Sequence, residues 1–271
     1  MDTKKILFVS SEVMPYMPEN EMSKTSFDLA KAINQISGQI RIFMPRFGVV
    51  NERRHQLHEV IRLSGMNQVI NDTDMPLIIK VASIPKERMQ VYFIDNEELF
   101  KRKYVYTDAD GKLFEDNDDR MIFFARGVIE TVKKLNWVPD IIHVSGWMAA
   151  LLPMYLKTFF KEEPLFESSK IIFSVYNNGF EGKISKEFTK KLTFDNIPAE
   201  DIKDLTNASY HDLIKKALQY SDAVLIGSKS LDEKTQAILA ALDKPVMPYT
   251  DEANLKKTYN TFCQENLLDE A

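Results

Sequence analysis

Cysteine is almost absent. A single thiol, Cys263, in 271 residues excludes an internal disulfide framework and fits a reducing compartment, so a cytoplasmic protein is expected. Histidine is scarce too. His55, His58, His143 and His211 never combine with cysteine into a metal-spaced cluster, and even the pair His55 and His58 is a weak exception, so neither a metal nor any other cofactor is expected. No apolar stretch approaches the roughly 18 residues of a membrane span, and Met1 to Lys5 runs directly into a short apolar strand without a signal-peptide pattern. A membrane is therefore not an expected partner. Excess positive charge is missing as well: 35 Lys and Arg stand against 40 Asp and Glu, a net charge of -5. Such a balance gives no electrostatic footprint for a phosphate backbone, which sets nucleic acid aside.

What is present supports a substantial core. Hydrophobic residues make up 44% of the chain and aromatics 11%, which excludes disorder for its bulk and allows one large domain or two small ones. Residues 5–10 (Lys-Ile-Leu-Phe-Val-Ser) read as a strand buried on both faces. A helix over 23–38 follows from Phe27, Leu29, Ala30, Ile33 and Ile36, with Ser23 or Ser26 as its cap and Gly38 as its stop. Strand 39–44 completes a β-α-β unit. Strands 77–83 and 89–95 are joined at Pro85-Lys86-Glu87, and a helix over 118–136, apolar on several faces, is expected to be wedged between the sheet and another element. Strands at 140–144, 170–175 and 223–227 then alternate with helices at 147–160, 209–220 and 230–242. This rhythm predicts a doubly wound, mostly parallel Rossmann-like sheet, with the strand ends Ser10, Val144, Val175 and Gly227 on one rim where ligands bind.

The rim segments, in order, are Phe8-Val-Ser-Ser-Glu-Val-Met-Pro-Tyr16, Arg41-Ile-Phe-Met-Pro-Arg-Phe-Gly48, Val91-Tyr-Phe-Ile-Asp-Asn96, Pro139-Asp-Ile-Ile-His-Val-Ser-Gly-Trp147 and Phe173-Ser-Val-Tyr-Asn-Asn-Gly-Phe-Glu-Gly182. This set resembles the N-terminal, acceptor-side domain of bacterial glycogen synthases and plant starch synthases, over roughly Lys4 to Leu242. The resemblance implies one lobe of a GT-B-type glycosyltransferase, whose family reaction moves glucose from ADP-glucose to an α-1,4-glucan. It implies a synthase-like domain over 1–245; beyond it a polar tail over 246–271, without a strong apolar stripe, reads as a short helix or disordered.

Position by position, the scaffold is kept and the chemistry is not. Where the family has a Lys-Thr-Gly-Gly-Leu loop that approaches the donor's phosphates, this chain has Pro18, Glu19, Asn20, Glu21 and Met22. Proline removes a donor and two carboxylates repel phosphate. The family's aspartate just downstream corresponds to Lys24, and its His-Ala-His-Asp-Trp-His run reads His143, Val144, Ser145, Gly146, Trp147, Met148. Its reacting-centre histidine corresponds to Tyr176, a poor proton shuttle at neutral pH. In the family most of the donor nucleotide is bound by a C-terminal lobe, and the resemblance, which ends near Leu242, leads to the expectation that this lobe is lacking here.

The expectation is therefore a catalytically impaired single-lobe relative that binds α-glucan or maltooligosaccharide, with little or no affinity for ADP-glucose. The alternatives are an active transferase subunit completed by a partner chain, and an interaction scaffold or homodimer using an apolar rim. His143 and Tyr176 are the only catalytic candidates; Ser10, Tyr16, Trp147, Asn177, Asn178 and Gly179 are the ligand-binding ones. Each has a plainer reading. His143 fits a packed histidine bonded to a backbone carbonyl, Trp147 a helix anchor, and Asn177 to Gly179 a turn with left-handed dihedrals. Asp108–Asp110 and Glu115–Asp119 read as a solvated loop and a helix-start charge bias rather than a metal site. Tyr16, Tyr92, Phe100, Tyr104, Tyr106 and Phe114 are either glucan platforms or core.

Overall fold

The computed structural model describes residues 4–37 and 39–268. Its strands, in chain order, are β1 (Ile6–Ser10), β2 (Ile40–Pro45), β3 (His58–Glu59), β4 (Met66–Ile70), β5 (Thr73–Ile84), β6 (Met89–Asp95), β7 (Ile141–Ser145), β8 (Lys170–Val175), β9 (Ala223–Ile226) and β10 (Val246–Met247). They form one sheet in the order β10-β9-β8-β7-β1-β2-β6-β5-β3, with β4 paired to β5. The seven strands from β10 to β6 are parallel, and only the edge carrying β3, β4 and β5 is antiparallel. Their composition explains this. β1 and β7 are buried at every residue, as strands covered by helices on both faces must be, whereas β4 alternates.

The chain runs outward from β1 through β2 to β6, returns along the helix Asn117–Lys134, and then runs the other way through β7, β8, β9 and β10. The reversal falls between β1 and β7, which pair with Ser10 opposite Ser145. Above the carboxyl ends of two such strands a crevice opens, because the connections leave in opposite directions. The returning helix is wedged as expected: Met121, Ile122, Phe123 and Phe124 are all fully buried, and it packs on β4, β6 and the helix Leu152–Lys157.

Several local expectations change. The helix expected over 147–160 is a 3-10 turn, Trp147–Ala149, followed by Leu152–Lys157, because Pro153 can be accommodated only in a first turn. The first helix, Glu21–Ser37, is capped by Asn20, whose Oδ1 accepts from Ser23 N–H at 2.8 Å while Ser23 Oγ accepts from Asn20 N–H at 2.9 Å. Gly38, the expected stop, lies outside the described residues, as does the end of the tail at 269–271. The remainder of the tail is ordered structure: β10 extends the sheet, and the helix Glu252–Asn266 packs on Glu21–Ser37 through buried Leu255, Tyr259 and Cys263.

Candidate functional site

Everything at the crevice is set by how the two central strands end. Past β1, Ser11 N–H donates to Ser145 O at 3.2 Å, holding the two strand ends together. Past β7, Gly146 adopts φ 86 and ψ 149, a conformation essentially restricted to glycine. Space imposes the same choice. A Cβ there would lie 2.2 Å from Ser11 Oγ and 2.8 Å from Met22 Sδ. The chain can therefore turn sharply into Trp147, and Met22 lies directly on that turn.

Glu12 follows at the mouth. It is 8% exposed, and its carboxylate accepts from the Tyr106 hydroxyl at 2.9 Å and from the Asn20 amide. Burial, and then Glu12 itself, drives the Tyr106 phenol well above its ordinary pKa, so it remains a hydrogen-bond donor. Tyr106 belongs to the segment after β6, where Thr107 bridges Leu113 and Arg120 pins the segment by donating to Val105 O at 2.7 Å. Trp147 lies between the Tyr106 and Phe180 rings, at centroid distances of 4.9 and 4.8 Å.

Glu12, Tyr106, Leu113, Trp147, Asn178 and Phe180 line a cleft of about 400 Å³. A second hollow of about 570 Å³ adjoins it between segments 111–115 and 181–187, sharing Gly111, Leu113 and Glu181. Aromatic edges, a carboxylate and an amide around a concave opening suit a ligand with apolar faces and many hydroxyls.

Of the residues singled out from sequence, Trp147, Asn178, Gly179 and the aromatic candidate Tyr106 line this cleft. Trp147 is 2% exposed and acts first as an anchor. Asn178 is half-buried; its amide lies 3.5 Å from Met22 Sδ and its Oδ1 accepts from Tyr210 OH at 3.4 Å. Asn177 is exposed, and its N–H donates to Ser228 Oγ at 2.8 Å. None of 177–179 has the left-handed dihedral expected of that turn; the positive φ falls later, at Gly182.

The other candidates face inward. Ser10 is buried, its hydroxyl donating to Glu12 O at 2.8 Å and lying 3.0 Å from Ser26 Oγ. Tyr16 is buried with its ring edge-on to His55 and Phe93, and burial raises its phenol pKa. Tyr176 is 3% exposed beneath Gly227, where any Cβ would come within 2.3 Å of its ring. Burial raises its hydroxyl to about 12, among Ser145, Ser174 and Ser26. His143 is 2% exposed, with Nε2 at 2.5 Å from Ser174 Oγ and Nδ1 at 3.1 Å from Tyr259 OH. Its partners are thus hydroxyls rather than a backbone carbonyl, and burial pushes it down to about 3.

The acidic segments are engaged by their neighbours. Asp116 pairs with Arg102, Asp118 and Asp119 each with Lys191 at 2.8 Å, and Asp108 Oδ1 accepts from Asp110 N–H and Lys112 N–H. At the centre of the rim Met22, Trp147 and Tyr176 are all buried.

Segment 18–22 is closed by its own bonds. Pro18 O accepts from Ser23 Oγ at 2.8 Å, Asn20 is committed to its cap and to Glu12, and the Glu21 carboxylate accepts from Ser228 Oγ and from Lys229 N–H at 3.2 Å. Sequence reasoning missed Glu12 and Phe180 as site residues. The signal for Glu12 was its place, a carboxylate two residues beyond a rim strand.

Comparison with known proteins places this geometry in context. Residues 5–240 match a family model described as the starch synthase catalytic domain. The glycogen synthase of Pelodictyon phaeoclathratiforme is 35% identical over 189 residues, 69% of this chain and 39% of that protein. The glycogen synthase of Chlorobaculum parvum is 29% identical over 285 residues, 98% of this chain and 58% of the relative. The chain thus spans between about two fifths and three fifths of the relatives it matches. Among solved structures, the catalytic domain of starch synthase IV from Arabidopsis thaliana, bound to ADP and acarbose, aligns with TM-score 0.67 at 17% identity. It covers 83% of this chain and 45% of its own, and the likeness extends to the fold.

Proposed function

Because the chain belongs to the starch synthase catalytic domain family, we propose that it is an α-glucan-binding member whose crevice takes maltooligosaccharide ends and whose own glucosyl transfer is impaired. One observation carries the reading. Trp147, Phe180, Tyr106, Asn178 and Glu12 line a cleft, while in the neighbouring segment 18–22 Pro18 O, Asn20 and the Glu21 carboxylate are already engaged by other residues of the chain. A hexose offers C–H faces for the aromatic edges and hydroxyls for Glu12 and Asn178. A sugar nucleotide would bring a diphosphate toward Glu12, Glu19 and Glu21 without a cation from that segment, a repulsive arrangement.

The two catalytic candidates read from the sequence support the same conclusion. His143 is kept neutral by burial and has both ring nitrogens engaged, and the Tyr176 hydroxyl is sealed beneath Gly227. Neither reaches the cleft. We place the protein in the cytoplasm, on the scarcity of cysteine: Cys263 is the single thiol in 271 residues.

Two assays test the reading. Native gels cast with glycogen should retard the protein, and Phe180→Ala should restore its mobility; unchanged migration of the wild-type protein would contradict glucan binding. Labelled ADP-glucose should transfer no glucose to glycogen. Transfer appearing when a donor-binding lobe is supplied in trans would favour a partner-completed subunit instead.

A further inference from the structure

Asn178 and Gly179 are the only Asn-Gly pair in the chain, and both stand in the wall of the cleft. Such a pair carries the two reactants of an intramolecular acyl transfer: the backbone nitrogen after the asparagine and the carboxamide carbon of its side chain. Three restraints hold these apart in a folded protein, namely a regular backbone, an engaged N–H and a firmly bonded amide. Here each of them is weak. The pair belongs to no helix or strand, and Gly179 is exposed, with no Cβ to narrow its dihedrals. Among the described residues the Gly179 N–H has no hydrogen-bond acceptor, whereas the preceding turn is tied by Asn177 N–H donating to Ser228 Oγ at 2.8 Å.

The side chain is equally loose. Asn178 Nδ2 faces Met22 Sδ at 3.5 Å, and sulfur is a weak acceptor. Its Oδ1 meets the Tyr210 hydroxyl only at 3.4 Å, because that hydroxyl's main bond is to Tyr176 O at 2.7 Å. The carboxamide is therefore free to turn toward the backbone nitrogen that follows it, in a loop that water reaches.

We propose that Asn178 and Gly179 are a self-modification site, at which the protein converts its own cleft wall by deamidation. The Gly179 nitrogen gives up its proton to solvent base and bonds to Asn178 Cγ, the Cγ–Nδ2 bond breaks, and the amide nitrogen leaves as ammonia. A cyclic imide remains, with no oxidation or reduction. Water then adds to one of the two imide carbonyls. Opening at Cγ gives aspartate, and opening at the backbone carbonyl gives isoaspartate, which carries the main chain through the side-chain carbon just ahead of Phe180. Either product replaces an amide that donates and accepts with a carboxylate that only accepts, in a cleft already lined by Glu12 and Glu181.

Incubation of the full chain at 37 °C, at pH 6 and at pH 8, followed by peptide mass mapping, tests the chemistry. The peptide that holds Asn178 should gain about 1 Da as its amide becomes an acid, faster at pH 8, and part of the product should be isoaspartate. Asn178→Gln and Gly179→Ala should each keep that peptide's mass constant over the same period. No gain in the wild-type peptide, or a gain that persists in both variants, would overturn the proposal; conversion of the same peptide once cut free of the protein would trace the failure to the fold. The consequence for binding rests on the glucan reading. The charge-separated product and Asn178→Asp should each bind maltoheptaose about tenfold more weakly than the parent, the weight of one lost hydrogen bond. Unchanged affinity would contradict an effect on the cleft. Absence of maltoheptaose binding by parent and product alike would defeat the glucan reading and leave the mass gain standing.

Discussion

The rings of His143 and Tyr259 stack at 5.5 Å and 14°, joining the centre of β7 to the helix Glu252–Asn266. Because burial lowers the imidazole to about 3, the folded protein holds His143 neutral at a pH where the unfolded chain, near 6.5, takes up a proton. The unfolded state thus binds more protons below pH 6.5, and this contribution to stability, complete above that value, is lost as pH falls toward 3. Between pH 7 and pH 5 the loss is about 2 kcal/mol. Urea unfolding of wild type and His143→Gln at both pH values checks it: the variant should lack this part of the pH dependence. Identical slopes would contradict the assignment.

Gly146 is the hinge of the crevice. Alanine there would need a dihedral essentially restricted to glycine and would press on Ser11 and Met22, so Gly146→Ala should lose about 3 kcal/mol in denaturant unfolding. A variant as stable as wild type would show that the turn relaxes freely.

Trp147 and Phe180 touch each other but should answer differently. Trp147 is 2% exposed, and Trp147→Ala should cost about 3–5 kcal/mol of stability as well as ligand affinity. Phe180 is half-buried at the cleft edge, and Phe180→Ala should weaken maltooligosaccharide binding about tenfold with little change in unfolding. Paired thermal melts and titrations separate the two; stability loss without affinity loss at Phe180 would remove it from the site.

The parallel half of the fold was legible because its central strands are short apolar runs and several of the helices between them open on a side-chain cap. Ser209, for instance, opens its helix with a capping box completed by Asp212. The antiparallel edge was less so. β4 went unread and β5 was started at Leu77 rather than Thr73, although Asn71 and Asp72, both at positive φ, are a two-residue hairpin turn with a recognisable signature. The tail helix had a cap in Asp251 and a stripe of Leu255, Tyr259 and Cys263, too sparse to stand out among polar neighbours. At the site, the rim was located correctly by topology, but which rim residues point outward was not. Ser10, Tyr16 and Tyr176 sit at or near strand ends and are buried all the same, because the segments after β1 and β9 fold back over them. Glu12 was overlooked because its importance comes from Tyr106, 94 positions away.

Side-by-side calorimetry of the wild-type protein with maltoheptaose and with ADP-glucose, in one buffer at pH 7, tests the central claim most directly. The account predicts measurable binding of maltoheptaose that Phe180→Ala weakens, and no saturable heat from ADP-glucose. Tight ADP-glucose binding, with maltoheptaose silent, would contradict it.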